Sequence, residues 1–186
     1  MDLEQRPLLG ETAVVTGGSR GIGAAVARRL GRAGAAVTVG YRSDRGAAEK
    51  VAAEVEDLGS SAGIRQVDTA DPDSVHGLVD EAGAASGRID VLVSCAGVEH
   101  FGLVDQVGPD DFDTTFAINT RGQWLAACRA TRYMGPGGRI ILTSSVSAHR
   151  SVFGHALLRG NLASGLWWVL VWFSHEAAAA PSDTTP

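Results

Sequence analysis

Short apolar runs alternate along the chain with longer amphipathic ones. The short runs, rich in β-branched residues, fall at about Thr12–Thr16, Ala36–Gly40, Gly63–Val67, Ile89–Ser94 and Gly138–Thr143, and predict strands. Helical spacing fills the gaps at about Gly21–Ala33, Ala47–Leu58, Asp73–Ala85, Pro109–Met134 and part of Gly154–His175. In the first of these helices Ile22, Val26 and Leu30 are spaced for one face. Asp71-Pro72-Asp73 and Gly108-Pro109-Asp110 supply helix starts, and Gly135-Pro136-Gly137-Gly138 ends the long helix. Alternation of this kind predicts βαβ units: an α/β, doubly wound, Rossmann-like parallel sheet with helices on both faces. Right-handed crossovers and a ligand site at the first strand give the order 3-2-1-4-5.

One block departs from the pattern. Leu166–Phe173 is apolar throughout and holds three of the four tryptophans, Trp167, Trp168 and Trp172. It is too short to span a membrane. As a helix it would be apolar all round, which requires burial or an interface, and as a strand it would need partners; a helix packed on a partner subunit is the first reading and a poorly folded segment the second. We expect a single dinucleotide-binding domain over residues 1–176 and a disordered tail over 177–186.

Composition narrows the function classes. The chain has 186 residues, 45% hydrophobic and 20% charged, which suits one globular domain. A net charge of −5 leaves no basic footprint for nucleic acid. The acidic start Met1-Asp2-Leu3-Glu4 is no signal peptide, and no membrane association is expected. Cys95 and Cys128 are too few for a disulfide framework and read as two buried free thiols in a reducing cytoplasm.

The chemistry begins at Thr16-Gly17-Gly18-Ser19-Arg20-Gly21-Ile22-Gly23, between the first strand and the first helix. Glycines let the backbone turn sharply and let a pyrophosphate approach the main chain. The helix N-terminus adds free N–H groups and a partial positive charge. The spacing is G-x3-G-x-G, and its strand–turn–helix context points to dinucleotide binding.

Four more segments, in order, complete a resemblance to the short-chain dehydrogenase/reductase family. The turn looks like that family's T-G-x-x-x-G-I-G, and Val67-Asp68-Thr69 like its adenine-contacting step. Ser94-Cys95-Ala96-Gly97 stands where the family has N-N-A-G, and Asn119-Thr120-Arg121-Gly122 looks like N-x-x-G. Gly138–Val146 looks like the strand that delivers the catalytic serine. The resemblance implies hydride transfer between a nicotinamide and a carbonyl or secondary alcohol. It assigns Ser145 and Asn119 to catalysis, the latter interrupting the long helix and holding a proton-relay water. The implied cofactor contacts are Gly17, Ser19, Arg20, Gly21, Ile22, Gly23, Arg42, Ser43, Asp68, Thr69, Ser94, Ala96 and Gly97. It also implies a homo-oligomer, dimer or tetramer, through the long helix and the tryptophan segment. No metal is expected. Ser94 and Cys95 replace both family asparagines, which predicts a weaker polar tie at the end of the fourth strand.

NAD binding calls for an acid about 20 residues past the glycines. Here Tyr41 holds that place, Arg42 follows, and Arg20 lies inside the turn. Two guanidinium groups near one ribose suit a 2′-phosphate, so NADP(H) is favoured over NAD(H).

The family's Y-x-x-x-K, counted thirteen residues on from Ser145, falls on Leu158 and Leu162. Neither leucine donates a proton, and the chemistry needs a phenol whose pKa an ammonium lowers. The only tyrosines are Tyr41 and Tyr133, and the only lysine is Lys50. His149, His155 and Arg159 are the nearby substitutes. The family continues with two further strands and a substrate-covering loop, so we expect this chain to lack one sheet edge and one pocket wall. If Leu158–Asn161 were encoded CTA-CGC-GGC-AAC, a one-base shift would read Tyr-Ala-Ala. No leucine codon at Leu162 gives lysine in that frame. Three readings follow: an oxidoreductase with impaired proton transfer, a catalytically silent nucleotide-binding or regulatory partner, or a non-functional product of a shifted frame.

Overall fold

The computed structural model describes residues 6–145. The expectations for the helix within 154–175, for His149, His155, Leu158, Arg159 and Leu162, for the tryptophan segment and for the tail lie outside them.

Five parallel strands form one sheet in the order β3-β2-β1-β4-β5, as expected. They are β1 (Thr12–Thr16), β2 (Ala36–Tyr41), β3 (Ala62–Gln66), β4 (Val91–Ser94) and β5 (Arg139–Leu142). The central register pairs Thr16 of β1 with Ser94 of β4, and Val15 with Val39 of β2. Alternate side chains of each strand point to opposite faces, so β1 feeds two cores. Ala13 and Val15 join Val37, Val39, Val91 and Val93 beneath α1 (Gly21–Arg32) and α2 (Arg45–Asp57). Val14 and Leu92 join Leu78, Val79, Ala126 and Ala130 beneath α3 (Pro72–Ser86) and α5 (Gly122–Ala130). All five β1 residues are buried, as befits a strand covered on both faces.

Helices α2 and α3 start where a carboxylate caps them. Asp44 accepts from the Ala47 N–H at 2.9 Å, and so α2 begins at Arg45, two residues before the periodicity does. Asp71 accepts from the Asp73 N–H at 3.1 Å with Pro72 at the first helical position. Gly87, at φ 73°, closes α3.

Three expectations change. The run predicted as one helix over Pro109–Met134 is α4 (Pro109–Phe116), a π turn (Ala117–Arg121) and α5, which stops at Ala130. Asn119 sits in the π turn, so the local interruption expected of it is present. Ile22 does not share the buried face of Val26 and Leu30; it is 68% exposed in the first turn of α1, beside the glycine turn rather than over the sheet. Neither cysteine is buried: Cys95 is half-buried at a strand end, and Cys128 is exposed on α5.

Candidate functional site

The residues singled out from the sequence lie at the carboxyl ends of the five strands, with Asn119 reaching the loop after β4 from the π turn. The glycine turn leaves β1 by folding back on itself. Gly17 has φ 64°, and a Cβ there would lie 2.7 Å from the Ala96 nitrogen. At Gly23 a Cβ would meet the Gly17 carbonyl oxygen at 2.3 Å, so the first turn of α1 rests directly on the glycine turn. The Gly18 N–H donates to the Gly40 carbonyl at 2.8 Å, pinning the turn to β2.

The mouth of this turn fits an anion. No side chain caps the N-terminus of α1, and its first turn holds no acid. Its N–H groups and dipole therefore face outward unspent. A Cβ at Gly21 would meet nothing within 4 Å, so the cradle is open. Arg20 is exposed at its rim, and Ser19 is half-buried in the turn.

At the end of β2, Tyr41 is buried while Arg42 and Ser43 are exposed. A cleft of about 690 Å³ brings Arg42, Ser43 and Asp68 together with Tyr41, Arg45 and Arg65. Arg42 Nη2 stands 4.0 Å from Asp68 Oδ2, with both side chains well exposed. Such a pair contributes little and leaves the guanidinium available. Arg45 and Arg65 are instead paired with Glu49 and Glu81. Asp68 Oδ1 accepts from the Ala70 N–H at 3.0 Å, and the Asp68 N–H donates to Ser74 Oγ at 3.0 Å. Thr69 beside it is buried.

The end of β4 carries a polar tie despite the missing asparagines. Thr16 Oγ1 lies 3.2 Å from Ser94 Oγ and accepts from the Ala96 N–H at 3.2 Å. The Thr16 hydroxyl thus bridges β1 to the strand end, where Ser94 and Cys95 stand in the asparagines' place. Thr143 Oγ1 reaches Cys95 Sγ at 3.5 Å. Gly97 is exposed.

Asn119 is 5% exposed, and both ends of its amide are spent on one residue. The Val98 N–H donates to its Oδ1 and its Nδ2 donates to the Val98 carbonyl, each at 2.8 Å. Its side chain therefore fixes the loop after β4. Ser145 is half-buried, three residues past β5. The approach to it is held at Thr143, whose N–H donates to the Ser94 carbonyl at 3.1 Å and whose carbonyl accepts from Gln123 Nε2 at 3.1 Å. Gln123, Arg121 and Thr16 were given no role from the sequence. Their signal was position alone, next to Asn119 and to the first glycine. Among the described residues no group of three or more His, Cys, Asp or Glu is placed to hold a metal ion. No helix among them is long and apolar enough to cross a membrane.

Comparison with known proteins gives a consistent result. The chain is 48% identical over 155 residues to the short chain dehydrogenase/reductase AacuN of Aspergillus aculeatus, covering 83% of this chain and 59% of that protein. It is 48% identical over 153 residues to the versicolorin reductase stcU of Emericella nidulans, covering 82% and 58%. A short chain dehydrogenase from Burkholderia cenocepacia, solved in complex with NADP, superposes with a TM-score of 0.84 at 41% identity, covering 87% of this chain and 66% of that one. The chain thus spans less than two thirds of the length of each. The family model for short chain dehydrogenases matches residues 11–157, and the chain belongs to the short-chain dehydrogenase/reductase family.

Proposed function

We propose that the chain binds NADP(H) across the carboxyl ends of β1, β2 and β4, as part of an oxidoreductase acting on a carbonyl or secondary alcohol. The observation that carries this reading is the open glycine cradle at an uncapped helix start, with the Arg42 guanidinium in the cleft at the end of the neighbouring strand β2 and no acid at the Tyr41 position. The NADP complex of the Burkholderia relative supports the cofactor.

Gly17, Ser19, Gly21, Ile22 and Gly23 hold the pyrophosphate, whose charge the α1 N-terminus complements. Arg20, Arg42 and Ser43 take the 2′-phosphate, and Asp68 and Thr69 the adenine. Ser94, Ala96 and Gly97 line the nicotinamide–ribose end. When bound, the nicotinamide supplies or accepts the hydride. Ser145 Oγ donates a hydrogen bond to the substrate oxygen, and Asn119 keeps the loop after β4 in place. Proton transfer is the weak point, because Leu158 and Leu162 stand at the family's Tyr and Lys positions. Loss of a positioned general acid costs about 10²–10⁴ in rate, which favours a nucleotide-binding protein with little turnover.

Fluorescence titration decides the cofactor. NADPH binds more tightly than NADH, and Arg42→Asp narrows the difference; equal affinities in the unmodified protein overturn the assignment. Robust NADPH consumption that vanishes on changing His149 or His155 would show instead a substitute acid and an active enzyme. We also propose self-association through the long helix, on which Phe112 and Trp124 are 46% and 60% exposed. Light scattering tests this, and a micromolar monomer refutes it.

A further inference from the structure

We propose that Arg121 is a positioning residue for the adenine half of the dinucleotide, an inference that rests on the cleft being the dinucleotide site. Arg121 ends the π turn and Gly122 opens α5. From there Arg121 Nη2 donates to the Ala70 carbonyl at 2.8 Å, across a separation of 51 residues. Gly122 brings the helix axis against the same loop: a Cβ on it would lie 2.4 Å from the Thr69 carbonyl oxygen.

The segment so gripped is Asp68-Thr69-Ala70, and its own bonds make it rigid. The Ala70 N–H donates to Asp68 Oδ1, and the Asp71 N–H to the Asp68 carbonyl at 3.1 Å. Fixing the Ala70 carbonyl therefore fixes the Asp68 carboxylate, whose other oxygen faces Arg42. The wide π turn makes this reach possible alongside another. Asn119 in the same turn holds Val98 after β4, and Gln123 one step on holds Thr143 after β5. One stretch of five residues thus braces the loops after three strands, and Arg121 serves the one on the adenine side.

Arg121 is exposed, so its hydrogen bond to a surface carbonyl adds little to global stability. Its effect is local order, which a ligand that needs the loop will read. An arginine suits the task because its planar fork loses less freedom per bond formed.

The test titrates the full chain with NADPH, with 2′,5′-ADP and with reduced nicotinamide mononucleotide, which lacks adenine. Arg121→Ala weakens NADPH and 2′,5′-ADP by about two- to tenfold, the span of one hydrogen bond. It leaves the mononucleotide unchanged, and Arg121→Lys restores most of the loss. Without ligand, amide exchange at Ala70 and Asp71 quickens in Arg121→Ala while the melting temperature holds. Arg121→Met, which keeps the length of the side chain but no donor, gives the same reading as alanine should the alanine variant unfold. Unchanged 2′,5′-ADP affinity, or equal loss for all three ligands, overturns the proposal. No NADPH binding by the unmodified chain overturns the dinucleotide reading and this proposal with it. Binding that Arg121→Ala leaves intact overturns this one alone.

Discussion

Replacing Asn119 by alanine removes two hydrogen bonds from a side chain that is 5% exposed. Both join the Val98 main chain at 2.8 Å, so the deletion leaves one N–H and one carbonyl without their partner. A typical intramolecular bond contributes about 0.5–1.5 kcal/mol, and a buried group left unpaired costs about 1–3 kcal/mol. Val98 is only half-buried, so water can reach part of what is lost. The sum is about 2 kcal/mol. For a chain of this size that lowers the melting temperature by about 4–8 °C. Circular dichroism melts and urea midpoints measure it. Asn119→Asp discriminates the cause, since a carboxylate still accepts from the Val98 N–H but turns a second acceptor toward the Val98 carbonyl. At neutral pH it should be no more stable than the alanine variant. An unchanged melting temperature in Asn119→Ala would refute the reasoning, as would full stability in Asn119→Asp.

Gly17→Ala forces a Cβ against the Ala96 backbone at a left-handed φ, so soluble protein and NADPH binding should both fall, measured by melting and titration. Asp90 Oδ2 accepts from the buried Thr12 N–H at 2.8 Å at the end of the sheet opposite the cleft; Asp90→Ala should cost about 1–3 kcal/mol in urea unfolding while NADPH affinity, where protein folds, stays the same. Asp80 is held below the usual carboxylate range first by its hydrogen bond from Arg129, then by that from the Tyr133 hydroxyl, against opposing burial. A depressed folded pKa means stability that is present above the unfolded carboxylate value and lost as pH falls through the folded one; Asp80→Asn should flatten the acid limb of a melting-temperature profile.

The sheet was legible because its strands are short, β-branched and evenly separated, and its order followed from the glycine turn at β1. The glycine turn itself was legible because positive φ at Gly17 and Gly21 leaves little choice of residue. Helix starts were legible where Asp71-Pro72 announced them. The π turn was readable only through the resemblance at Asn119, since nothing in the periodicity of 109–134 marks an extra residue. The Thr16 bridge was missed because it joins residues 78 apart, a pairing that depends on parallel register rather than on local pattern. Ile22 misled because helical spacing continues past the point where the helix leaves the sheet. Arg121 and Gln123 gave no signal beyond their place next to Asn119, as both act on carbonyls of loops 51 and 20 residues away.

The central place of β1 also has a kinetic consequence. It closes onto β2 at Thr12–Ala36, a short local loop, but reaches Asp90 only across 78 residues. Loop closure over the longer span costs about 1 kcal/mol more in chain entropy, so the β1–β4 seam is the later one to form. The proposed dinucleotide site, wider than the cleft at the end of β2, straddles that seam, with the glycine turn on one bank and Ala96-Gly97 on the other. A ligand bridging the banks has nothing to hold until both exist. Bound NADPH should therefore slow unfolding and leave the refolding rate alone, a division that stopped-flow mixing reads directly.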